Sequence, residues 1–353
     1  MRYIRVAKRA GHDYPPRLSP TAAVFAILLG TLTLKADPGA NLSFLRLPSI
    51  SVGNVCCSVL TADFNGDGKT DIVAAYGTAA VSIFLSDGKG NFTRSDMPLN
   101  LGAGIVLRGL TASADFNGDN IADLVGITDD TFADHGGGSD LGGVVLLGIG
   151  DGSFRSPILL GANVVKAVAD FNRDGKLDLL VHPCTGDNGC GFAVRLGNGD
   201  GTFQPAGPIT MQPAGDVTWW AVVAVFNGDG KPDVVETTLQ PSESVVGSVY
   251  LWLGNGDGSF GNVITTPLSG PVTLSQLATA DFNGDGHPDL TVLVNSSRTA
   301  SDFGAVHSVE ILLGDGTGNF TLGSTYRVPY PAPLITADFE HAGRIDLAAG
   351  LQS

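Results

Sequence analysis

One nine-residue pattern recurs along this chain and constrains its fold more than any other feature. Its six copies begin at Asp63, Asp115, Asp170, Val225, Asp281 and Asp338. The first copy reads DFNGDGKTD, the fourth has Val in place of the leading Asp, and the sixth has diverged to DFEHAGRID. The successive starts are 52, 55, 55, 56 and 57 residues apart. This regular spacing predicts a fold assembled from repeated units.

A second pattern recurs in phase with the first and predicts a tight turn in each repeat. It places Gly, Asn and Asp between an apolar run and a Phe, as in FLSDGKGNF and RLGNGDGTF. Its five copies end at Phe92, Phe154, Phe203, Phe260 and Phe320. Asn-Gly and Asp-Gly sequences supply the positive φ angles that β-hairpin turns require. Each copy is therefore predicted to join two antiparallel strands.

Each repeat divides into four short predicted strands. In the third repeat, residues 164–171 lead into the Asp-rich pattern, residues 177–181 follow it, residues 192–196 precede the hairpin, and the fourth strand begins at Phe203. Four antiparallel strands in a period of about 55 residues are typical of a propeller blade. A single blade exposes an apolar face, so stacking on its neighbours is what stabilises it. The predicted fold class is all-β.

Together, the two patterns resemble those of the FG-GAP/VCBS repeat family, whose propellers are related to the head of integrin α-subunits. The resemblance covers roughly residues 40–353 and implies a β-propeller of about six four-stranded antiparallel blades. Residues 41–52 are predicted to supply a fourth strand that completes the last blade and joins the termini, although that blade then still lacks a third strand. The alternative is a seven-bladed ring of which this sequence is a truncated member.

The oxygen-bearing side chains of the nine-residue pattern predict calcium binding. The first, third, fifth and ninth residues offer side-chain oxygens, and the seventh offers its backbone carbonyl. Calcium takes about six to eight oxygen ligands, and Gly at the sixth position permits a sharp reversal around the ion. The predicted ligands of four complete sites are Asp63, Asn65, Asp67, Lys69 and Asp71; Asp115, Asn117, Asp119, Ile121 and Asp123; Asp170, Asn172, Asp174, Lys176 and Asp178; and Asp281, Asn283, Asp285, His287 and Asp289.

Two copies of the pattern are predicted to bind calcium poorly or not at all. The fourth keeps Asn227, Asp229 and Asp233 but has Val225 where the first carboxylate belongs, so its site should be weak or empty. In the sixth, Ala342 replaces the fifth ligand and Glu340 the third, and this copy is predicted to bind nothing. The second copy has Asn120 in place of the turn glycine, a substitution that the left-handed conformation tolerates.

The alternative interpretation is that these segments are ordinary Asp-Gly-Asn turns. Against it, three carboxylates in one small loop repel one another unless a cation lies between them. About half of the 35 acidic residues belong to the six patterns, so the net charge of −15 is largely explained by them. Magnesium is the less suitable ion because it demands stricter octahedral geometry. The predicted ions have a structural role, tying the first strand of each repeat to the second.

The N-terminal residues resemble an export signal. A basic region is followed by the apolar run at residues 21–34, which has the length of a signal-peptide core, and cleavage is predicted after Ala36. An uncleaved N-terminal anchor is the alternative. The predicted organisation is a signal peptide at residues 1–36 and a propeller at residues 37–353, with no membrane span after signal removal. The protein is therefore expected to be secreted, periplasmic or on the cell surface.

Four cysteines are compatible with an oxidising compartment. Cys184 and Cys190 bracket a Gly-rich segment and are predicted to form a disulfide. Cys56 and Cys57 are adjacent and form either a vicinal disulfide or two buried thiols. Sequence alone leaves all three pairings open.

The sequence favours a binding module over an enzyme. It contains no HExxH, GxSxG or CxxC motif, and its acidic balance argues against a nucleic-acid partner. A protein or glycan ligand is expected on the rim opposite the Asp-rich loops, where the connections between second and third strands are long. Trp219 and Trp220 are candidate ligand-stacking residues there, unless both pack in the core. The alternative function is a carbohydrate-active enzyme or its glycan-binding accessory propeller.

Overall fold

The computed structural model describes residues 5–6, 58–130, 142–183, 191–210, 216–239, 247–269, 277–295, 307–328, 331–337 and 345–351. Every regular element in these residues is a β-strand. In chain order the strands are β1 (Arg5–Val6), β2 (Ser58–Ala62), β3 (Asp71–Ala75), β4 (Ala80–Ser86), β5 (Phe92–Pro98), β6 (Ile105–Ala114), β7 (Asp123–Asp130), β8 (Gly142–Leu146), β9 (Ile158–Leu159), β10 (Asn163–Ala169), β11 (Asp178–Pro183), β12 (Ala193–Arg195), β13 (Asp216–Ala224), β14 (Asp233–Leu239), β15 (Ser248–Gly254), β16 (Phe260–Pro267), β17 (Leu277–Ala280), β18 (Asp289–Asn295), β19 (His307–Gly314), β20 (Phe320–Val328), β21 (Pro331–Ala337) and β22 (Asp346–Leu351).

The strands form one antiparallel sheet per repeat. Four sheets have four strands in sequence order, β2 to β5, β6 to β9, β13 to β16 and β17 to β20. Sequential order in an antiparallel sheet means that each strand is joined directly to its neighbour, with no crossover to another sheet. The prediction of an all-β fold built from four-stranded antiparallel sheets, one for each Asp-rich pattern, is therefore confirmed for these repeats.

The third repeat has only three strands, β10 to β12, because its outer segment lacks the donors that a strand needs. Pro205 and Pro208 have no backbone N–H, so this segment cannot form a continuous ladder. Isolated bridges join Gly197 to Phe203 and Phe192 to Thr210 instead. The other three strands of this repeat lie within one or two residues of their predicted positions.

The sixth sheet has the order β1-β22-β21. Arg5 and Val6 pair with Ala349 and Ala348, next to the strand that follows the diverged Asp-rich pattern. The sequence predicted no third strand for this blade. Residues 41–52, predicted to close the ring, lie outside the described residues, so the number of blades in a closed ring stays a prediction.

The core is formed where consecutive sheets pack face to face. One apolar cluster joins Val73 and Ile83 of the first repeat to Leu124 and Val144 of the second, and all four are at most 1 % exposed. A similar cluster joins the second repeat to the third, and another joins the fourth to the fifth. Each buried aliphatic side chain of this size contributes roughly 1.5–3 kcal/mol. Stacking between neighbours thus supplies the stability that one sheet lacks.

The chain divides into two compact units. The first comprises Ile50–Gln212 with Gly256–Ser259 and contains β2 to β12. The second comprises Met1–Ser49, Pro213–Asn255 and Phe260–Ser353 and contains the other strands.

Candidate metal-binding loops

The nine-residue patterns form five described loops between first and second strands, here called Asp loops 1 to 5 (residues 63–71, 115–123, 170–178, 225–233 and 281–289). In every one the fourth and sixth residues have left-handed backbone. At the sixth position φ is 77° in Gly68 and 62° in Asn120, as the sequence predicted. The left-handed fourth position was not predicted, because Arg173 stands there in loop 3 with a φ of 61°. The two reversals wrap the loop backbone around its first residue.

The first carboxylate of each complete loop is held by the backbone that follows it. Asp63 Oδ1 accepts an N–H from Gly66 at 2.7 Å, and its Oδ2 accepts one from Gly68 at 2.7 Å. The sixth-position N–H also donates to Oδ2 of Asp115, Asp170 and Asp281, at 2.8, 2.9 and 2.9 Å. Val225 has no side-chain acceptor, so loop 4 lacks these hydrogen bonds between its first side chain and the backbone that follows. The loop shape itself persists there, since Gly228 and Gly230 have φ of 73° and 77°.

The third and fifth side chains lie together on one side of each loop. In loop 2, the Asn117 amide nitrogen donates to Asp119 Oδ2 at 2.9 Å, and loops 3 and 5 repeat this contact at 3.1 and 2.8 Å. In loop 1 the ammonium group of Lys69 replaces the amide, 2.8 Å from Asp67 Oδ2. The hydrogen bond from Lys69 lowers the pKa of Asp67 below its ordinary value.

The ninth residue has a role that the sequence did not reveal. Asp71, Asp123, Asp178, Asp233 and Asp289 are all 0 % exposed. In each, Oδ2 accepts the N–H of the second residue of its own loop, as Phe116 donates to Asp123 at 2.8 Å. The other oxygen accepts an N–H from the far end of the third strand, as Gly148 donates to Asp123 at 2.7 Å. This carboxylate therefore fastens the Asp loop to the hairpin of the same repeat.

Burial and nearby charge both act on the ninth carboxylate. Desolvation raises the pKa of Asp71, and the carboxylates of Asp67 and Asp63 raise it further, while N–H bonds from Ser86 and Phe64 oppose the change. Asp289 shows the same pattern with Asp285 and Asp281. In loops 1, 2 and 5 the first and fifth carboxylates are thus close enough to the ninth to repel it.

The donor set of these loops fits calcium in its chemistry. It consists only of oxygens, mostly anionic, on a loop whose backbone already holds the first carboxylate. One oxygen of the fifth carboxylate accepts the N–H of the seventh residue, as Asp119 accepts that of Ile121 at 2.9 Å. The partner of its other oxygen is an Asn amide or a Lys ammonium, which a side-chain rotation can withdraw. Among the described residues, however, no three His, Cys, Asp or Glu side chains are grouped so that they could hold an ion as they stand. A bound ion would therefore be held by the first, third and fifth side chains and by the seventh carbonyl. The ninth carboxylate could also contribute, because each of its oxygens has a second lone pair besides the one that accepts a backbone N–H.

Hairpins 1 to 5 (residues 86–92, 148–154, 197–203, 254–260 and 314–320) lie beside the Asp loops. Their Asp side chains accept N–H groups two residues further on, as the turn chemistry predicts. In hairpin 5, hydrogen bonds from Thr317 and Asn319 lower the pKa of Asp315 to about 2.

The seventh residue of the Asp loop covers the hairpin glycine of its own repeat. A β-carbon on Gly150 would lie 3.1 Å from Ile121 Cδ1.

Hairpins 2, 3 and 4 each donate an N–H to the Asp loop of the preceding repeat. Gly152 of hairpin 2 donates its N–H to the carbonyl of Phe64 in loop 1 at 3.1 Å. Hairpins 3 and 4 make the equivalent bonds, Gly201 to Phe116 at 3.0 Å and Gly258 to Phe171 at 3.2 Å. The hairpin Phe packs edge-on against the loop Phe, as Phe203 does against Phe116 with ring centroids 5.9 Å apart.

Several predicted site residues cannot be placed. Cys56, Cys57, Cys184 and Cys190, and most of each long connection on the predicted ligand rim, lie outside the described residues. The sixth Asp-rich pattern lies outside them up to residue 344. Trp219 and Trp220 lie in β13, but their side chains are not described. The register of β13 against β14 shifts between Val217 and Ala221, so simple alternation does not assign either tryptophan to a face.

No stretch of the described residues forms a helix of the length and apolar character that a bilayer crossing demands.

Comparison with known proteins supports the repeat assignment. The sequence model of the FG-GAP-like repeat family matches residues 63–126, 170–236 and 226–292, together more than half of the chain. With the sheets described above, this match confirms the predicted FG-GAP β-propeller class. No curated protein is significantly similar in sequence.

One solved structure similar to this chain is a fungal lectin, that of Aleuria aurantia. It is described as a six-bladed β-propeller with a novel mode of fucose recognition. The two share 12 % identity over 79 % of this chain and 80 % of the lectin, with a TM-score of 0.45. A likeness at this level bears on neither the ligand nor the site of this chain.

Proposed function

Since the chain belongs to the FG-GAP-like repeat family, we propose that it is an exported, calcium-stabilised β-propeller that binds a protein or glycan partner and is not itself an enzyme. The observation that carries the calcium part is that three carboxylates belong to one nine-residue loop in each complete copy, on a backbone whose left-handed fourth and sixth positions are the same in all five described loops. Desolvation raises the pKa of the ninth carboxylate in Asp loops 1, 2 and 5, and repulsion from the first and fifth carboxylates raises it further, while backbone N–H bonds oppose the change. A bound cation removes that repulsion.

Calcium, when bound, supplies two positive charges to a shell of about six to eight oxygens. The chain's own contribution is to hold those oxygens in place beforehand. In loop 1 the N–H groups of Gly66 and Gly68 fix both oxygens of Asp63. In the same loop Asp71 is fixed by N–H groups of Phe64 and Ser86. Pre-ordered ligands reduce the entropy lost when the ion binds.

The stoichiometry of bound calcium tests this part directly. The full chain is stripped with EGTA, dialysed and titrated with calcium in a calorimeter, with magnesium as the competing ion. We expect about four calcium ions, from loops 1, 2, 3 and 5, and a thermal midpoint several degrees lower in excess EGTA, by mass action on the folded state. A melting curve that is the same with and without EGTA contradicts the proposal.

The binding part rests on the family and on the architecture. Rigid sheets that carry long connections at the end away from the Asp loops are suited to recognition. A glycan array probed with and without calcium tests for a sugar ligand, and product analysis on any hit separates binding from turnover. Bound sugar that is released unchanged supports a recognition module. Cleaved sugar supports the alternative, a carbohydrate-active enzyme. The variants Trp219→Ala and Trp220→Ala, made separately, test whether either ring contacts the ligand.

Export is proposed from the N-terminal sequence alone. A basic segment before the apolar run at residues 21–34 is typical of a signal peptide. N-terminal sequencing of the mature protein from an exporting host is expected to begin at Asp37. A chain that keeps residues 1–36 and remains with the membrane fraction would instead support the uncleaved anchor.

A further inference from the structure

Hairpin 2 contacts two Asp loops at once, the loop of its own repeat and the loop of the repeat before it. Towards loop 1, Gly152 donates its N–H to the carbonyl of Phe64 at 3.1 Å. The ring of Phe154 packs on the ring of Phe64. Towards loop 2, Gly148 donates its N–H to Oδ1 of Asp123 at 2.7 Å. One rigid turn of seven residues therefore lies between two predicted ion sites.

The same connection continues through the first compact unit by way of buried carboxylates. The N–H of Phe64 donates to Asp71 Oδ2 at 3.1 Å, and the N–H of Phe116 donates to Asp123 Oδ2 at 2.8 Å. Each loop Phe thus donates to the ninth carboxylate of its own loop and accepts from the hairpin of the next repeat. The result is a path from loop 1 to loop 2 that consists of hydrogen bonds at both ends of hairpin 2 and of the hairpin backbone between Gly152 and Gly148.

The two loops also lie close to each other. A β-carbon on Gly66, the fourth residue of loop 1, would lie 3.7 Å from Cδ1 of Ile121, the seventh residue of loop 2. Ile121 also lies across Gly150 of hairpin 2. In loops 1, 3 and 4 the seventh residue is Lys, so the apolar side chain at this junction is particular to repeat 2.

We propose that calcium binding is coupled between Asp loops 1 and 2, so that an ion in one loop raises the affinity of the other. This inference rests on the calcium sites of the proposed function. An ion bound in loop 1 further restricts the residual motion of Phe64 and of the hairpin held against it. Loop 2 then binds its ion with less conformational entropy left to lose, which is positive coupling without a new contact. Coupling of this kind typically changes an affinity by about 5- to 150-fold, and by the same factor in both directions.

The test isolates the two loops in the full chain. Asp170→Val and Asp281→Val silence loops 3 and 5 by copying the arrangement of loop 4, in which Val225 leaves the loop backbone intact. In this background calorimetry gives the dissociation constant of loop 2 with loop 1 intact and with Asp63→Val. We expect the loss of loop 1 to weaken loop 2 by about fivefold or more.

Two junction variants then show whether hairpin 2 carries the effect. Ile121→Lys keeps the backbone carbonyl and installs the residue found in three other loops, while Phe154→Leu removes the ring contact to Phe64. Both are expected to bring the ratio of the two dissociation constants of loop 2, measured with Asp63→Val and with loop 1 intact, close to one. Phe320→Leu removes the ring contact to Phe226 between repeats 4 and 5 instead, touches neither loop 1 nor loop 2, and should leave the ratio unchanged.

The outcomes separate this inference from the function on which it rests. Two bound ions whose affinities are independent, with a ratio within about twofold of one, overturn the coupling and leave the calcium sites in place. No calcium bound by the parent with loops 1 and 2 intact overturns both. A ratio that Ile121→Lys and Phe154→Leu leave unchanged overturns the role of hairpin 2.

Discussion

The ring of Phe64 packs edge-on against the ring of Phe154, with centroids 5.8 Å apart and planes at 68°. Phe64 belongs to the Asp loop of the first repeat, and Phe154 ends the hairpin of the second. Phe226 and Phe320 make the same contact between the fourth and fifth repeats, at 5.5 Å and 72°. Each pair spans two repeats, so the two sequence patterns must stay in phase for the sheets to stack.

Truncation of Phe154 should therefore destabilise the protein strongly. The side chain is 3 % exposed, and Phe154→Ala removes a ring from the cluster that joins repeats 1 and 2. We expect the free energy of unfolding to fall by about 3–5 kcal/mol in urea denaturation. Leu322→Ala is the control, because Leu322 is 55 % exposed and its loss should cost under about 0.5 kcal/mol. Equal losses in both variants contradict a role in inter-repeat packing.

The ninth carboxylate can be examined apart from any ion in Asp loop 4, where Val225 replaces the first predicted ligand. Asp233 accepts N–H groups from Phe226 at 2.8 Å, Asn227 at 3.3 Å and Gly254 at 2.9 Å. Asp233→Asn turns an NH2 group towards one of these donors and leaves a buried N–H without an acceptor. We expect a loss of about 1–3 kcal/mol in the free energy of unfolding.

The same variant should leave the number of bound calcium ions unchanged. Asp200→Asn in hairpin 3 is the control, since Asp200 is exposed and an amide oxygen can still accept the N–H of Thr202. We expect that change to stay within about 0.5 kcal/mol. If Asp233→Asn is as mild as the control, the ninth residue does not fasten loop to hairpin.

The strand pattern could be predicted from the sequence because each repeat encodes it locally. Alternating apolar residues, Asp-Gly turns and the sixth-position glycine act within a few residues of one another. The role of the ninth carboxylate could not be predicted in this way, because one of its donors is distant. Gly148 and Asp123 are 25 residues apart, and only the folded sheet brings them together.

Other features could not be predicted because single residues depart from the repeat pattern. Arg173 at the fourth position of loop 3 conceals the left-handed backbone there, which glycine would have revealed in every copy. The fourth strand predicted from Phe203 in the third repeat is wrong, because Pro205 and Pro208 lack the N–H groups that a continuous ladder needs. The β-bulge between Val217 and Ala221 depends on pairing with β14 and has no local turn signal. Alternation along β13 therefore does not assign the side chains of Trp219 and Trp220 to the two faces of the sheet.

Arg173 itself should be a site of backbone strain. Its φ of 61° places a side chain in the left-handed region, where Gly66, Gly118, Gly228 and Gly284 stand in the other loops. Arg173→Gly is expected to raise the free energy of unfolding by about 0.5–1 kcal/mol, the strain removed less the entropy that glycine adds to the unfolded chain. Asn120→Gly is the matched comparison, with a gain of only a few tenths because Asn tolerates this conformation. A destabilised Arg173→Gly variant would show that the arginine makes compensating contacts.

Restoring the missing carboxylate should create a fifth ion site. Loop 4 keeps the backbone conformation of the complete loops, and its third and fifth residues are arranged as theirs are, with Asp229 donating its N–H to Asn227 Oδ1 at 3.0 Å. In Val225→Asp the new carboxylate can accept the N–H of Gly230, as Asp63 accepts that of Gly68. We expect calorimetry to count about five calcium ions instead of about four. The added ion would offset the repulsion among the three carboxylates that loop 4 then has. Adding Asp229→Asn to this variant should return the count to the wild-type value, because an amide weakens the site by one negative charge. An unchanged count in Val225→Asp would mean that the first carboxylate is not what distinguishes loop 4 from the others.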